Sequence, residues 1–307
     1  MYRAQGRAAR TIGCQNRRSY IRSQRPADQL LVYPLDVPRL LQLPAHGRLL
    51  VGTDLQGNLG DFKRLAHHFR AAGEDAHLVL TGDLVHGPDE ETAAYWPEHL
   101  GSAYRDESPA LIDAFLAERE RAPGRVHCLL GNHDHAHAGG PVTSKFHDDE
   151  GGVLEARLGP AGTARLEALV KTFPLVAVAP CGAVMLHAAP SSEIDDPAQL
   201  EAAPLDGYRE KGIEHFLQVP VLGSLLWSRY ASPEQSKRFL KACGGTVALY
   251  GHDVVREGFA REGDDQLCFS TSFGLFDEFK VYVSLDLAAK YPNSHALRPG
   301  QEILRLY

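Results

Sequence analysis

Five polar clusters in this sequence carry side chains that can bind a divalent cation. They are Thr53-Asp54-Leu55-Gln56-Gly57-Asn58, Gly82-Asp83, Gly131-Asn132-His133-Asp134, His187 and Gly251-His252. Carboxylates and amides offer oxygen donors and imidazoles offer nitrogen, so together they cover the ligand types that divalent metals use. One Asp after an apolar run is an ordinary turn or cap residue. Five such clusters, each following an apolar run, point instead to one shared site.

The elements that must position these clusters can be read from the apolar spacing. Residues 47–53 (GRLLVGT), 77–81 (HLVLT) and 126–130 (VHCLL) read as short buried strands, ending at Asp54, at Gly82-Asp83 and at Gly131-Asn132. Between them, residues 61–72 place Phe62, Leu65, Ala66 and Phe69 at helical spacing, with Asn58 or Gly60 at the start. Residues 109–121 do the same with Leu111, Ile112, Phe115 and Leu116. The order β-α-β-α-β implies a parallel sheet with helices packed on it, and in open α/β sheets ligand sites form at the carboxyl ends of strands. The second half is strand-rich. Residues 176–179 and 184–187 flank a hairpin turn, 247–250 end at Gly251-His252, and strands at 266–270 and 280–285 follow. Residues 191–222 read as loop, and the Gly-Gly pairs at 139–140, 151–152 and 244–245 read as turns.

The bulk properties fit a large α/β domain. The chain has 307 residues, 44% of them apolar, enough for a substantial core. No run approaches the ~18 apolar residues of a membrane span. Five cysteines are widely spaced with no C-x-x-C pair, which argues against a disulfide framework or a zinc ribbon and fits a reducing, cytoplasmic setting. Net charge is -7, but residues 1–27 hold seven arginines and no Asp, Glu or Lys. Residues 1–29 are therefore expected to be a basic, disordered extension, with an organellar targeting segment as the alternative, and 30–307 the functional domain. The acidic body argues against nucleic-acid binding, and no membrane partner is expected.

The order D-x-[H], G-D, G-N-H-[DE], H, G-H resembles the signature of the calcineurin-like metallophosphoesterases. The nearest resemblance is to PPP-type serine/threonine phosphatases, through Gly82-Asp83-Leu84-Val85, Leu225-Leu226-Trp227-Ser228 and residues 251–258 (GHDVVREG). The resemblance runs from about residue 49 to 285, and it implies an α/β sandwich of two mixed sheets flanked by helices. It implies two divalent ions, with Mn²⁺ favoured and Fe, Zn or Mg as alternatives, clamping a phosphoryl group for in-line attack by water. One ion would be held by Asp54, Gln56 and Asp83, and the other by Asp83, Asn132, His187 and His252. Asp83 would bridge them, and His133 would serve as general acid. The implied substrate is a phosphomonoester on a protein. Small phosphorylated metabolites, dinucleoside polyphosphates, or a pseudo-phosphatase that binds without turnover are the alternatives.

Three departures shape the expectations. Gln56 stands where the family has a metal-binding His, so the site at Asp54 should be all-oxygen and weak, suited to Mn²⁺ or Mg²⁺. His86 stands where the protein phosphatases have an Asp paired with the His of G-N-H, so His133 is expected to lose its orienting carboxylate, and His86 itself is a candidate substrate contact. Gly87 replaces a phosphate-binding Arg, which leaves Arg229 as the candidate anion clamp. His135 and His137 are expected to be solvated, residues 146–149 to form a solvated turn, and Trp227 to be core.

Overall fold

The computed structural model describes residues 38–307; the expected basic extension and Cys14 lie outside the described residues. Two sheets form the centre. The first has five strands in the order β11 (Ile303–Arg305), β10 (Val281–Asp286), β2 (Arg48–Gly52), β3 (His77–Leu80) and β4 (Val126–Cys128). The second has six, in the order β1 (Leu40–Gln42), β5 (Val176–Val178), β6 (Ala183–Leu186), β7 (Val247–Tyr250), β9 (Gln266–Phe269) and β8 (Phe259–Glu262). Both sheets are mixed. β2, β3 and β4 run parallel, with Leu50 opposite Leu78 and Leu80 opposite Cys128. β6, β7 and β9 are also parallel, whereas β5 and β6 form the expected antiparallel hairpin with Val178 opposite Val184.

The central strands are largely buried on both faces, which is why they read as apolar runs, whereas the edge strands β1, β8 and β11 are partly exposed. Successive side chains divide between two cores. Leu49, Val51, Val79, Met185, Leu249, Phe269 and Val283 belong to one cluster that joins the two sheets. Leu50, Leu78, Leu80, Val184, Leu186 and Ala248 belong to the other, together with helix residues such as Phe62, Phe115 and Phe239. This gives an α/β/β/α sandwich, the architecture expected from the sequence.

Helix α1 (Leu59–Ala71) starts at Asn58, whose Oδ1 accepts from the Asp61 amide at 3.0 Å. The second helix of the parallel half is Ser108–Arg121. The structure corrects the reading of Gly151 and Gly152: they lie in the first turn of a helix, Glu150–Val170, capped by Asp149 and broken at Gly159, where φ is 68°. The 191–222 stretch contains short helical turns at Ala198–Glu201 and Gly212–Phe216. Cys128, Cys181, Cys243 and Cys268 are free thiols in the interior. Among the described residues, no helix is long and apolar enough to cross a membrane.

Candidate active site

The carboxyl ends of β2, β3, β4, β6 and β7 converge, so five chain segments distant in sequence meet in space. Backbone hydrogen bonds lock the loops together. The Gln56 amide donates to the Asp83 carbonyl at 2.8 Å, and the Gly251 amide donates to the His187 carbonyl at 3.1 Å. Asp134 accepts from the amides of Asp83 (2.7 Å), Leu84 (3.0 Å) and Gly131 (3.2 Å), which staples the end of β3 to the end of β4. That staple demands glycine at both contacts: a Cβ on Gly131 would lie 2.3 Å from the Asp83 nitrogen, and one on Gly82 would lie 2.6 Å from Gly131. Asp54, Gln56, Asp83, His86 and His252 all adopt left-handed backbone conformations, with φ between 40° and 69°. Non-glycine residues are uncommon there, and such conformations gather at functional sites.

One group of donors points at a common centre. The His187 Nδ1–H donates to the Thr81 carbonyl at 3.0 Å, so its Nε2 carries the free lone pair. That Nε2 lies 2.8 Å from Asn132 Oδ1, 3.1 Å from His252 Nδ1 and 3.6 Å from Asp83 Oδ1. Lone pairs aimed at one another across such distances repel unless a cation or a proton sits among them. Asp83, His187 and His252 each present one donor atom within 4.8 Å of the others. A carbonyl that fixes the tautomer of an imidazole is the usual outer support of a metal-binding His. These residues fit a divalent cation. The charge pattern agrees: burial opposes ionisation of Asp83, but the imidazoles of His187, His133 and His252 hold its carboxyl well below the ordinary range.

The second set, Asp54 and Gln56, is different. Burial, chiefly, pushes Asp54 up to about 6, with His187 working against the shift and Asp83 adding to it. Both Asp54 oxygens accept from the His252 amide, at 3.0 and 3.1 Å. Gln56 Nε2 donates to Asp83 Oδ2 at 3.3 Å, and its Oε1 accepts from Lys145 Nζ at 2.9 Å. The oxygen expected to meet a metal is therefore taken by a lysine, and this set does not fit a second cation as it stands.

His133 lines the same cavity as Gln56, Asp83, Asn132, Lys145, Trp227, Arg229 and His252. Its expected loss of an orienting carboxylate is corrected by the structure. Glu150 Oε2 lies 3.1 Å from His133 Nδ1, with both side chains buried, so a carboxylate from another helix substitutes for the missing Asp. Burial works against the charged forms of both groups. Attraction outweighs burial: the His133 imidazole rises above its ordinary value through the Asp83 charge first and the Glu150 contact second, and the Glu150 carboxyl falls below its own through His133. With Nδ1 facing both Glu150 Oε2 and His86 Nδ1, Nε2 is the nitrogen left for the cavity.

His86 lies behind His133 and away from that cavity. Its Nδ1 is 3.3 Å from His133 Nδ1, and its Nε2 is 2.8 Å from His137 Nε2. It lines a separate cavity of about 560 Å³ with Asp89, Arg105, His147 and Arg157. His135 and His137 are buried rather than solvated. Their short helical turn folds inward, where His135 bonds the Leu205 carbonyl at 2.7 Å and His137 meets Glu155 at 3.2 Å. Arg229 stands exposed at the cavity rim, paired with Asp253. Trp227 is half-buried and serves both core and site, its ring packed 6.1 Å from His252.

Residues 47–256 match the family model for calcineurin-like phosphoesterase, and the chain belongs to that family. It is a hydrolase acting on phosphoester bonds, of a family that uses a dinuclear metal centre. Among solved structures it is similar to a serine/threonine phosphatase from Saccharomyces cerevisiae, at 14% identity over 82% of this chain and 78% of that one, with a TM-score of 0.55. It is also similar to a cold-active protein-tyrosine phosphatase from Shewanella sp., at 13% identity over 83% and 79%, with a TM-score of 0.57. At these identities the likeness is one of fold. No curated protein sequence matches the chain.

Proposed function

We propose that the chain hydrolyses phosphomonoesters carried on protein side chains, using a divalent cation held by Asp83, Asn132, His187 and His252. The observation that carries the substrate class is the shape of the site. The cavity holds only about 220 Å³, below the ~300–1,000 Å³ of pockets that enclose a small-molecule ligand. A phosphoryl group fits inside while the rest of its carrier stays outside, as a phosphorylated side chain on a protein surface would. The two structural neighbours described above, both named as protein phosphatases, support the same reading.

Asp83, Asn132, His187 and His252 would hold a divalent cation, which would supply Lewis acidity toward phosphoryl oxygens and water. The protein supplies the rest. His133, oriented through Nδ1 by Glu150, presents Nε2–H to the departing oxygen and gives it a proton. Arg229 at the rim donates to phosphoryl oxygens on the solvent side, where its guanidinium matches their geometry. Asn132 and His187 are held by their strand ends and by the Thr81 carbonyl, so the donor atoms need little rearrangement.

The deciding assay is turnover of phosphopeptides against small phosphate esters and dinucleoside polyphosphates, with Mn²⁺ supplied. Preference by kcat/KM for phosphopeptides is the expected result. A preference for dinucleoside polyphosphates would overturn the substrate class. No turnover of any phosphate ester would overturn the reading of the site.

A further inference from the structure

Resting on the reading of the site just given, we infer that the Lys145 ammonium takes the place of the second metal ion, and that this chain works with one divalent cation and one built-in cation.

The orientation of Gln56 carries the argument. An ammonium group only donates hydrogen bonds, and an ionised carboxylate only accepts them. Gln56 lies between the two, 2.9 Å from Lys145 Nζ and 3.3 Å from Asp83 Oδ2. Its amide can satisfy both neighbours in one way, with oxygen toward the lysine and nitrogen toward the aspartate. The amide N–H is thus aimed at the Asp83 oxygen on which a second metal would have to sit. The other Asp83 oxygen, Oδ1, faces His187 and accepts from the His133 amide at 3.0 Å. Asp83 therefore has one side for a metal and one side for an amide-linked lysine.

Lys145 is also held in place. Its stem lies at the surface on the loop before the helix Glu150–Val170, while its ammonium turns inward and stands 3.8 Å from the centre of the Phe273 ring. That distance suits a cation–π contact. Phe146 packs edge-on against the same ring at 5.8 Å, and the Phe273 amide donates to the Asp54 carbonyl at 3.2 Å. The platform for the lysine is thus tied to the metal loop itself. Two buried carboxylates, Asp54 and Asp83, otherwise repel each other in this half of the site. An ammonium relieves their repulsion and keeps N–H donors available for a phosphoryl oxygen. A His at position 56 would offer a nitrogen lone pair; a Gln offers Lys145 an acceptor and Asp83 a donor, which makes it the suitable adaptor.

The test is metal stoichiometry on the full chain, read by elemental analysis, calorimetric Mn²⁺ titration and the electron paramagnetic resonance of bound Mn²⁺. Wild type is expected to bind one Mn²⁺ per chain with an uncoupled spectrum. The double variant Gln56→His/Lys145→Met is expected to bind two, with the spectrum of a spin-coupled pair. Lys145→Met alone should weaken binding of inorganic phosphate by roughly ten- to hundredfold, the value of one charge-assisted hydrogen bond. Two coupled Mn²⁺ in the wild type would overturn the inference and leave the site reading intact, as would unchanged phosphate affinity in Lys145→Met. Absence of any bound Mn²⁺, or its retention in His187→Ala, would instead overturn the site reading on which the inference rests.

Discussion

Replacing Lys280 by Met should destabilise the fold by about 3 kcal/mol, the lower end of the ~3–5 kcal/mol lost when a buried ion pair loses one partner. Lys280 is 2% exposed and its Nζ lies 2.8 Å from Asp61 Oδ2, itself in a residue that is 1% exposed. Asp61 also accepts from Asn58 Nδ2 (2.9 Å), Ser272 Oγ (2.5 Å) and the Tyr307 hydroxyl (2.6 Å). Those three neutral donors stay with the carboxylate when the lysine goes, which is the reason for choosing the lower end. Asp277, the second partner of Lys280, is half-exposed and loses little. For a domain of this size the expected fall in Tm is about 6–12 °C, at ~2–4 °C per kcal/mol. Calorimetry and urea unfolding measure it, and Asp61→Asn/Lys280→Met should recover part of the loss because no buried charge is left unpaired. A loss below about 1 kcal/mol for Lys280→Met would show that the pair is solvated and contradict the reasoning. Asp61 sits in the first turn of α1, directly after the loop that carries Asp54 and Gln56, so the same variant should lose activity earlier on heating.

Asp83→Asn should abolish turnover and lower bound metal; activity within severalfold of wild type, measured with an aryl phosphate, would contradict the proposed role of its carboxylate. His133→Ala should cut turnover by roughly 10²–10⁴ with metal content unchanged, whereas loss of metal would make His133 a ligand. Glu150→Gln should reduce kcat more than it changes KM and shift the alkaline limb of the rate profile to lower pH, because the carboxylate helps hold His133 protonated; an unmoved profile would refute that role. The contribution of His127 and His135 to stability should fall as pH drops from about 6.5 toward 4. Burial holds His135 and His127 down to about 4, so over that range the unfolded chain takes up protons that the folded one refuses. His135→Gln should flatten the slope in urea unfolding at pH 7 and pH 5, and an unaltered slope would exclude His135 as its source.

Much of the framework was legible because it follows period and punctuation. The runs before Asp54, Asp83 and Asn132 are mainly apolar since most of each strand is covered on both faces, with Arg48, His77 and His127 as the exceptions, and each run ends where a polar cluster begins. Convergence of Asp83, Asn132, His187 and His252 follows from the parallel pairing within each sheet and the apposition of the two sheets. Lys145 and Glu150 were not legible. One reaches in from a surface loop and the other from the first turn of a helix whose Gly151-Gly152 pair reads as a turn, so neither stands at the end of a strand. The burial of His135 and His137 was hidden for a related reason. Their short helical turn has no apolar periodicity of its own and is covered by residues as distant as Leu205 and Phe216. A lysine close to a Gln in a metal-binding motif is visible only in three dimensions.

The left-handed backbone at Asp54, Gln56, Asp83, His86 and His252 has a consequence for how such a protein can change over time. Glycine adopts these angles without the Cβ penalty, and roughly 1–2 kcal/mol is at stake at each position. Substitution by glycine there removes a chemical group and relieves backbone strain in a single step. A lineage under selection for stability alone would drift toward glycine at these five positions and lose its chemistry. A library screened only for thermal tolerance should therefore deplete these side chains first.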